Sequence, residues 1–535
     1  MLTLWKMLMM VRRCDRRAFW LRLLYEVLQS GLPLGGVYVL KLLVDNLHDF
    51  HHAVIYVAIF VGLFLSGRLV STLSAVNNDV LTQRLIDYIS DCIQRQSVRL
   101  DMSYYDNPAF HDTFHRAQQE SSYRPLQVLN HFMTLFGSLV TLGGVVVLLG
   151  ATSPWVVLLM VVAVVPSFIV RLIKARKIYA FRRNNTQIYR RTSYYSALLT
   201  HRDFAKEVRQ FGLSSYFRQL FVEIRRNLVR RLLRISQRLA AYDAFCAIVE
   251  SAVLLLALLL FVRQAYVGAI TVGVFVMLFE AFRRGQSALQ ALVRSVAGLY
   301  DSRLFAGNLF EFLTLEPQIT TPADAVPFPE RVERVEFRDV TFRYPDMEHD
   351  VLSHYNLVAE RGTVCHIEGE NGFGKTTLMK LLMRLYEPDS GAVLVNGVDI
   401  RRFDVATLRG HISVLFQDFV RYHFTAAENI AFGNISAPVD RQRMQQAAHK
   451  AGIDQMLAAL PKGYDNMLGR VFTGGEELSI GQWQRVALAR LFYSDAPIVI
   501  LDEPTAWMDK PTRDHFHAEV ETMKKDKVIF LIQHV

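Results

Sequence analysis

The stretch HIEGENGFGKTTLMKLL, residues 366–382, decides how the second half of this chain folds. It contains Gly369-x-x-x-x-Gly374-Lys375-Thr376, preceded by a strand-like run and followed by an apolar helical one. That context makes the pattern a phosphate-binding P-loop. Glycines let backbone N–H groups turn inward around phosphates, and the following helix N-terminus adds a partial positive charge. Lys375 is expected to reach the β/γ-phosphates, and the Thr376 hydroxyl to bind Mg²⁺. The expected nucleotide contacts are Gly369, Glu370, Asn371, Gly372, Phe373, Gly374, Lys375, Thr376 and Thr377.

A second half-site lies downstream. In IVILDEPT, 498–505, four apolar residues predict a buried strand that delivers Asp502 to its end as an Mg²⁺ ligand through water. Glu503 is then placed to take a proton from an attacking water. Around these motifs, strand-like runs (VEFRDVTFRY, AVLVNGVDI) alternate with helical ones, which predicts an α/β domain over 333–535. A proline-rich connector, PQITTPADAVPFPE (317–330), leads into it, and the linker is drawn at 317–332.

The first 316 residues have another character. A bilayer core of roughly 30 Å needs about 20 apolar helical residues. Six segments meet that need, at 18–44, 53–76, 129–150, 154–173, 243–265 and 267–292. Lys6, Arg12, Arg13, Arg16 and Arg17 precede the first, whereas DNLHDFHH (45–52) and GATSP (150–154) carry no Lys or Arg. The long segment 77–125 has several arginines, and 174–240 is rich in Lys and Arg. Positive charge collects in cytoplasmic loops. This puts the N-terminus, both long loops and everything after about 295 on the inside. The net charge of +10 follows the membrane topology rather than forming one patch, so no nucleic-acid partner is expected. The four cysteines have neither metal nor redox spacing. Within each long loop a break is expected, around Pro108 and at LLTHRDFAKEV.

ELSIGQWQRVALAR, 477–490, completes the reading. With the P-loop and Asp502-Glu503, it resembles the ATP-binding cassette (ABC) family, whose signature motif is normally L-S-G-G-Q. Here Ser479, Gly481 and Gln482 match, and Ile480 replaces a glycine. A glycine would suit close backbone approach, whereas a β-branched residue requires a negative φ. Ile480 is read as a variant pointing away from phosphate, with a weakened or asymmetric site as the alternative. The resemblance implies further roles. Tyr344 stacks on adenine, Gln417 contacts Mg²⁺ and water, Asp509 belongs to the loop after the Asp502 strand, and His534 lies near the γ-phosphate.

The resemblance covers nearly the whole chain and is to a half-size exporter. It implies an α-helical transmembrane domain of six long helices (type I exporter-like) plus an α/β P-loop NTPase domain, with the loop breaks as coupling helices. The implied cofactors are ATP and Mg²⁺, the catalytic residues Glu503, His534 and Gln417, and the metal contacts Thr376, Gln417 and Asp502. The implied partner is a second half-transporter, most simply another copy of this chain, because the signature of one subunit closes over ATP held by the other. The expected setting is a prokaryotic plasma membrane with the cassette in the cytoplasm. The expected activity is ATP-driven export of a peptide, lipid-like or other amphipathic molecule by alternating access. The alternatives are a non-pumping ATP-gated channel or regulatory partner, and a soluble ATPase with a hydrophobic bundle, which the charge pattern opposes. Family members usually continue past the equivalent of His534, so truncation there is also an expectation.

Overall fold

The computed structural model describes residues 2–107, 114, 124–150, 154–345, 347–369 and 374–533. The chain forms two compact units: Met1–Val98 with Asp112–Leu315, and Arg99–His111 with Glu316–Val535.

The first unit is helical: α1 (Leu2–Cys14), α2 (Arg16–Asp45), α3 (Phe50–Arg99), then, beyond a five-residue helix α4 (Met102–Asp106), α5 (Arg124–Gly150), α6 (Pro154–Asn184), α7 (Thr186–Thr200), α8 (Arg202–Gln210), α9 (Ser214–Tyr266) and α10 (Val272–Leu313). Asp15 caps α2 by accepting a hydrogen bond from the Ala18 N–H at 2.9 Å. At 50 and 53 residues, α3 and α9 run about 75–80 Å, far more than a bilayer core needs. The predicted spans 53–76 and 243–265 are therefore parts of continuous helices that project well beyond the apolar zone. Small residues set the packing between spans. A Cβ on Gly137 would lie 2.4 Å from Glu26 Oε1, so the missing side chain on α5 leaves room for the Glu26 carboxylate of α2. Val37, Val145, Met160, Phe261, Leu278 and Phe282 fill the core among α2, α5, α6, α9 and α10. Buried Glu250 accepts from Ser167 Oγ at 2.5 Å and from Gln290 Nε2 at 2.6 Å.

Among the described residues, five helices are long and apolar enough to cross a membrane. The helix at the expected sixth span, α10, is not one of them, although its 42 residues give ample length. Glu280, Arg283 and Arg284 interrupt its apolar stretch. The expected break around Pro108 falls partly outside the described residues; within them, α3 stops at Arg99 and α4 ends at Asp106. At the second break, α7 ends at Thr200, extended His201 turns the chain, and α8 follows.

In the second unit, β1 (Arg334–Phe342), β2 (Leu352–Glu360), β4 (Ser390–Val395) and β5 (Val398–Asp399) form an antiparallel sheet in the order β2-β1-β4-β5. A parallel sheet has the order β3-β8-β7-β6, with β3 at Val364–Ile367, β6 at Ile412–Leu415, β7 at Ile498–Asp502 and β8 at Val528–Ile532. Every residue of β7 and β8 is buried, as strands covered on both faces should be. The helices are α11 (Lys375–Leu382), α12 (Val405–Gly410), α13 (Ala426–Ala431), α14 (Arg441–Lys450), α15 (Asp454–Ala458), α16 (Ile480–Tyr493) and α17 (Lys510–Met523). The proline-rich connector lies along this unit. Thr321 Oγ1 donates to Asp404 at 2.8 Å, and the Val326 N–H to the Arg402 carbonyl at 2.9 Å. Residues 99–107 pack here too, where the Asp101 carboxylate accepts from the backbone N–H of Gln318 and of Ile319.

Candidate nucleotide site

The parallel register explains how distant motifs meet. Ile367 of β3 pairs with Ile532 of β8, Ile532 with Asp502 of β7, and Leu501 with Leu415 of β6. All four strands therefore end at one edge, the edge where open α/β sheets bind ligands. The P-loop leaves β3 there, Gln417 follows β6, and Asp502 and Glu503 close β7. Between them lies a cavity of 430 Å³ lined by Tyr344, Lys375, Thr376, Gln417, Asp502 and Glu503, among others.

Gly374 caps α11 at φ 80°, and a Cβ there would come 2.9 Å from Leu352 Cδ2. Only glycine takes that conformation without strain, so the turn into α11 depends on it. Lys375 is buried, and its Nζ donates to the Gly369 carbonyl at 2.6 Å, which ties the ammonium to the segment just after β3. Thr376 Oγ1 donates to Asp502 Oδ2 at 3.4 Å. A hydroxyl and a carboxylate at that separation offer the hard oxygen ligands that Mg²⁺ prefers. Glu370, Asn371, Gly372, Phe373 and His534 lie outside the described residues.

Glu503 is unusual in its backbone. It is a non-glycine residue at φ 48°, a conformation that costs of order 1–3 kcal/mol. Hydrogen bonds hold it there: its N–H donates to the Ile532 carbonyl at 3.1 Å, and its carbonyl accepts from Gln484 Nε2 at 3.3 Å and from the Ala506 N–H at 3.4 Å. Gln484 sits on α16, the helix that follows the signature stretch.

At the other end of the cavity, Tyr344 packs edge-on against Phe342 and Tyr386 with centroids 5.0 and 5.3 Å away, and its hydroxyl lies 3.1 Å from Thr377 Oγ1. Lys380 Nζ sits over both tyrosine rings. The Tyr386 hydroxyl donates to Asp106 of α4. Burial, then the nearby carboxylate, pushes this phenol well above its usual range, so it stays a neutral donor. Tyr386, Met347 and Gln484 were not singled out from the sequence, and no motif marks them. An aromatic after α11 reads as ordinary core.

Ser479, Gly481, Gln482 and Asp509 do not line this cavity. Ser479 caps α16 through a reciprocal capping box: its Oγ accepts from the Gln482 N–H at 3.3 Å, while its own N–H donates to Gln482 Oε1 at 2.8 Å. A Cβ on Gly481 would meet the Trp507 carbonyl oxygen at 2.8 Å. Glycine at 481 is thus required by close approach. Ile480 is the first residue of α16, is 38% exposed, and is absent from the positive-φ residues. It lines a second cavity of 300 Å³ with Gln417, Glu503 and Trp507. Asp509 caps α17, accepting from the Thr512 N–H at 3.3 Å. The Thr512 hydroxyl first, then its N–H, holds the carboxyl below its usual range.

Comparison with known proteins agrees with this geometry. Residues 352–506 match the ABC transporter family model. The subtilin transport ATP-binding protein SpaT of Bacillus subtilis is 28% identical over 97% of this chain and 85% of its own length. The nisin transport ATP-binding protein NisT of Lactococcus lactis is 25% identical over 100% of this chain and 89% of its own. An ATP-dependent lipid A-core flippase of Pseudomonas putida is 30% identical over 71% of this chain and 62% of its own. A bacterial Atm1-family ABC exporter, solved with ATP bound, superposes with a TM-score of 0.80 at 21% identity, covering 98% of this chain and 91% of that one. The chain belongs to the ABC transporter family, as a half-size membrane exporter whose cassette binds nucleotide and couples ATP hydrolysis to transport.

Proposed function

We propose that the chain exports an amphipathic substrate by alternating access, as a homodimer in a prokaryotic plasma membrane with the cassettes in the cytoplasm and α10 as a sixth span. The observation that carries the proposal is the convergence of Lys375, Thr376, Gln417, Asp502 and Glu503 on one cavity at the sheet edge. In this reading Tyr344 is the adenine platform, and Lys375 and the loop amides hold the phosphates. Thr376, Asp502 and Gln417 hold Mg²⁺, which neutralises phosphate charge. Glu503 takes the proton from the attacking water. Ser479, Gly481, Gln482 and Asp509 serve the partner's nucleotide, which accords with their distance from their own chain's cavity. Because ATP binds the closed pair better than the open one, it shifts the pair toward closure. The relatives named for subtilin, nisin and lipid A support an amphipathic cargo.

A second reading, a slowly hydrolysing channel or regulatory partner, rests on Ile480 alone. The exposed, regular helical setting of that residue favours the pump. ATPase activity of wild type and Glu503→Gln in lipid separates the two. Steady wild-type turnover lost by at least about 100-fold in the variant supports the pump. Equally negligible turnover in both refutes it.

A further inference from the structure

Besides the nucleotide site, the helical unit contains a cavity of 520 Å³ between α2, α3 and α10. Its walls combine apolar groups such as Leu32, Phe60 and Leu63 with four charged ones, Arg68, Glu280, Arg283 and Arg284. The charges do not balance. Arg283 Nη2 lies 3.0 Å from Glu280 Oε2, and Arg284 Nε lies 3.8 Å from the same oxygen. One carboxylate thus serves two guanidiniums. Arg68 rests on the Phe64 ring at 5.4 Å and, among the described residues, has no carboxylate partner. Arg284 Nε is buried without a hydrogen bond. Elsewhere in the helical unit Arg22 has Glu26 at 3.8 Å and Lys174 has Asp243 at 3.1 Å, each one cation to one carboxylate.

A surplus of arginine over carboxylate at membrane depth is expensive and marks substrate or ion pathways. Arg68 lies 18 residues into α3, about 27 Å along its axis, and Arg283 lies 11 residues into α10, about 17 Å along. Both helices enter from the proposed outer side, so both arginines fall in the inner half of the bilayer. We propose that this cavity is the cargo's entry site and that it takes an anionic amphiphile, with a phosphate-type head at Arg68, Arg283 and Arg284 and an acyl-like body along Phe60 and Leu63. A guanidinium fork suits phosphate oxygens, and the surplus positive charge disfavours a cationic peptide. This rests on the export reading, but its test needs no turnover.

The full chain in neutral detergent is titrated with phosphatidylglycerol or phosphatidylcholine without nucleotide, and bound lipid is counted by native mass spectrometry. Wild type is expected to favour phosphatidylglycerol by roughly tenfold or more. Arg68→Gln with Arg284→Gln should bring the two lipids near parity, whereas Arg68→Lys with Arg284→Lys should keep most of the preference. Arg225→Gln with Arg226→Gln, in the cytoplasmic stretch of α9, should change nothing. Parity in wild type, an equal loss in the α9 variant, or preferential binding of dodecyltrimethylammonium overturns the proposal. Displacement of the lipid by millimolar inorganic phosphate assigns the site to a free anion and also overturns it. Should Glu503→Gln keep full turnover while the lipid preference stands, the pump reading fails and this site survives.

Discussion

Replacing Gly481 with alanine tests the signature helix where its fit is tightest. The new Cβ would sit 2.8 Å from the Trp507 carbonyl oxygen, backbone against side chain with no flexible end to yield. The two segments must part by roughly half an ångström, an overpacking cost of about 1–3 kcal/mol. Trp507 lies between Glu503 and Asp509, so the displacement reaches both the proposed base and the loop proposed to face the partner. Misplacement near 1 Å at a catalytic group can cost about 100-fold, so turnover should fall by roughly 10- to 100-fold. Measured by phosphate release in lipid, with a thermal melt beside it, the variant should also lose roughly 2–10 °C in Tm. Ile480→Gly is the control. It removes an exposed side chain at a helix start, should cost about 0.5 kcal/mol, and should leave turnover within roughly twofold. Wild-type turnover and Tm in Gly481→Ala would mean that the close approach to Trp507 does not constrain the site, and a tenfold gain in Ile480→Gly would show that the isoleucine weakens it.

Other outcomes follow from single contacts. Glu503→Gly should relieve the left-handed backbone and raise cassette stability by about 1 kcal/mol in denaturant melts, while turnover collapses. Burial lowers the Lys527 ammonium to about 8. Its charging therefore opposes folding below that pH, and stability recovers as pH rises from 8 toward the unfolded value. Lys527→Met should gain about 1–2 kcal/mol at pH 7, after discounting for its part exposure, and the gain should shrink by pH 10; a constant gain would contradict the assignment. Tyr386→Phe removes the donor to Asp106 of α4 and should weaken substrate stimulation of ATPase several-fold, with basal turnover and ATP affinity near wild type. An equal loss of basal turnover would point to the adenine platform instead.

The nucleotide site was largely legible because its chemistry is local. Glycine spacing defines the turn before α11, and an all-apolar run ending in Asp502 defines a buried strand end. What local pattern cannot carry is the register that joins β3, β8 and β7 at one edge, or the left-handed backbone of Glu503, which depends on Ile532 and Gln484 from other elements. Tyr386 was hidden because its role comes from Tyr344 and Asp106, 42 residues after the one and 280 after the other. The apolar runs were read as separate spans. Hydropathy reports where a helix is greasy, not where it ends, and α3 and α9 continue through their polar extensions. In α10 the spacing of Glu280, Arg283 and Arg284 at i, i+3 and i+4 reads as a self-neutralising set, and the surplus of arginine becomes meaningful only once Arg68 of α3 is seen in the same cavity.

In the proposed homodimer the Ser479 turn of one copy meets the nucleotide held by Lys375 of the other. Orthovanadate trapped with nucleotide and then irradiated cuts the backbone beside the γ-phosphate position. Tagged Lys375→Ala chain, unable to hold its own nucleotide, is mixed with untagged wild type before trapping. A tagged fragment ending within 479–482 is expected, where the partner's nucleotide would rest. Cleavage of wild type at the P-loop alone, with the tagged chain intact, would contradict it.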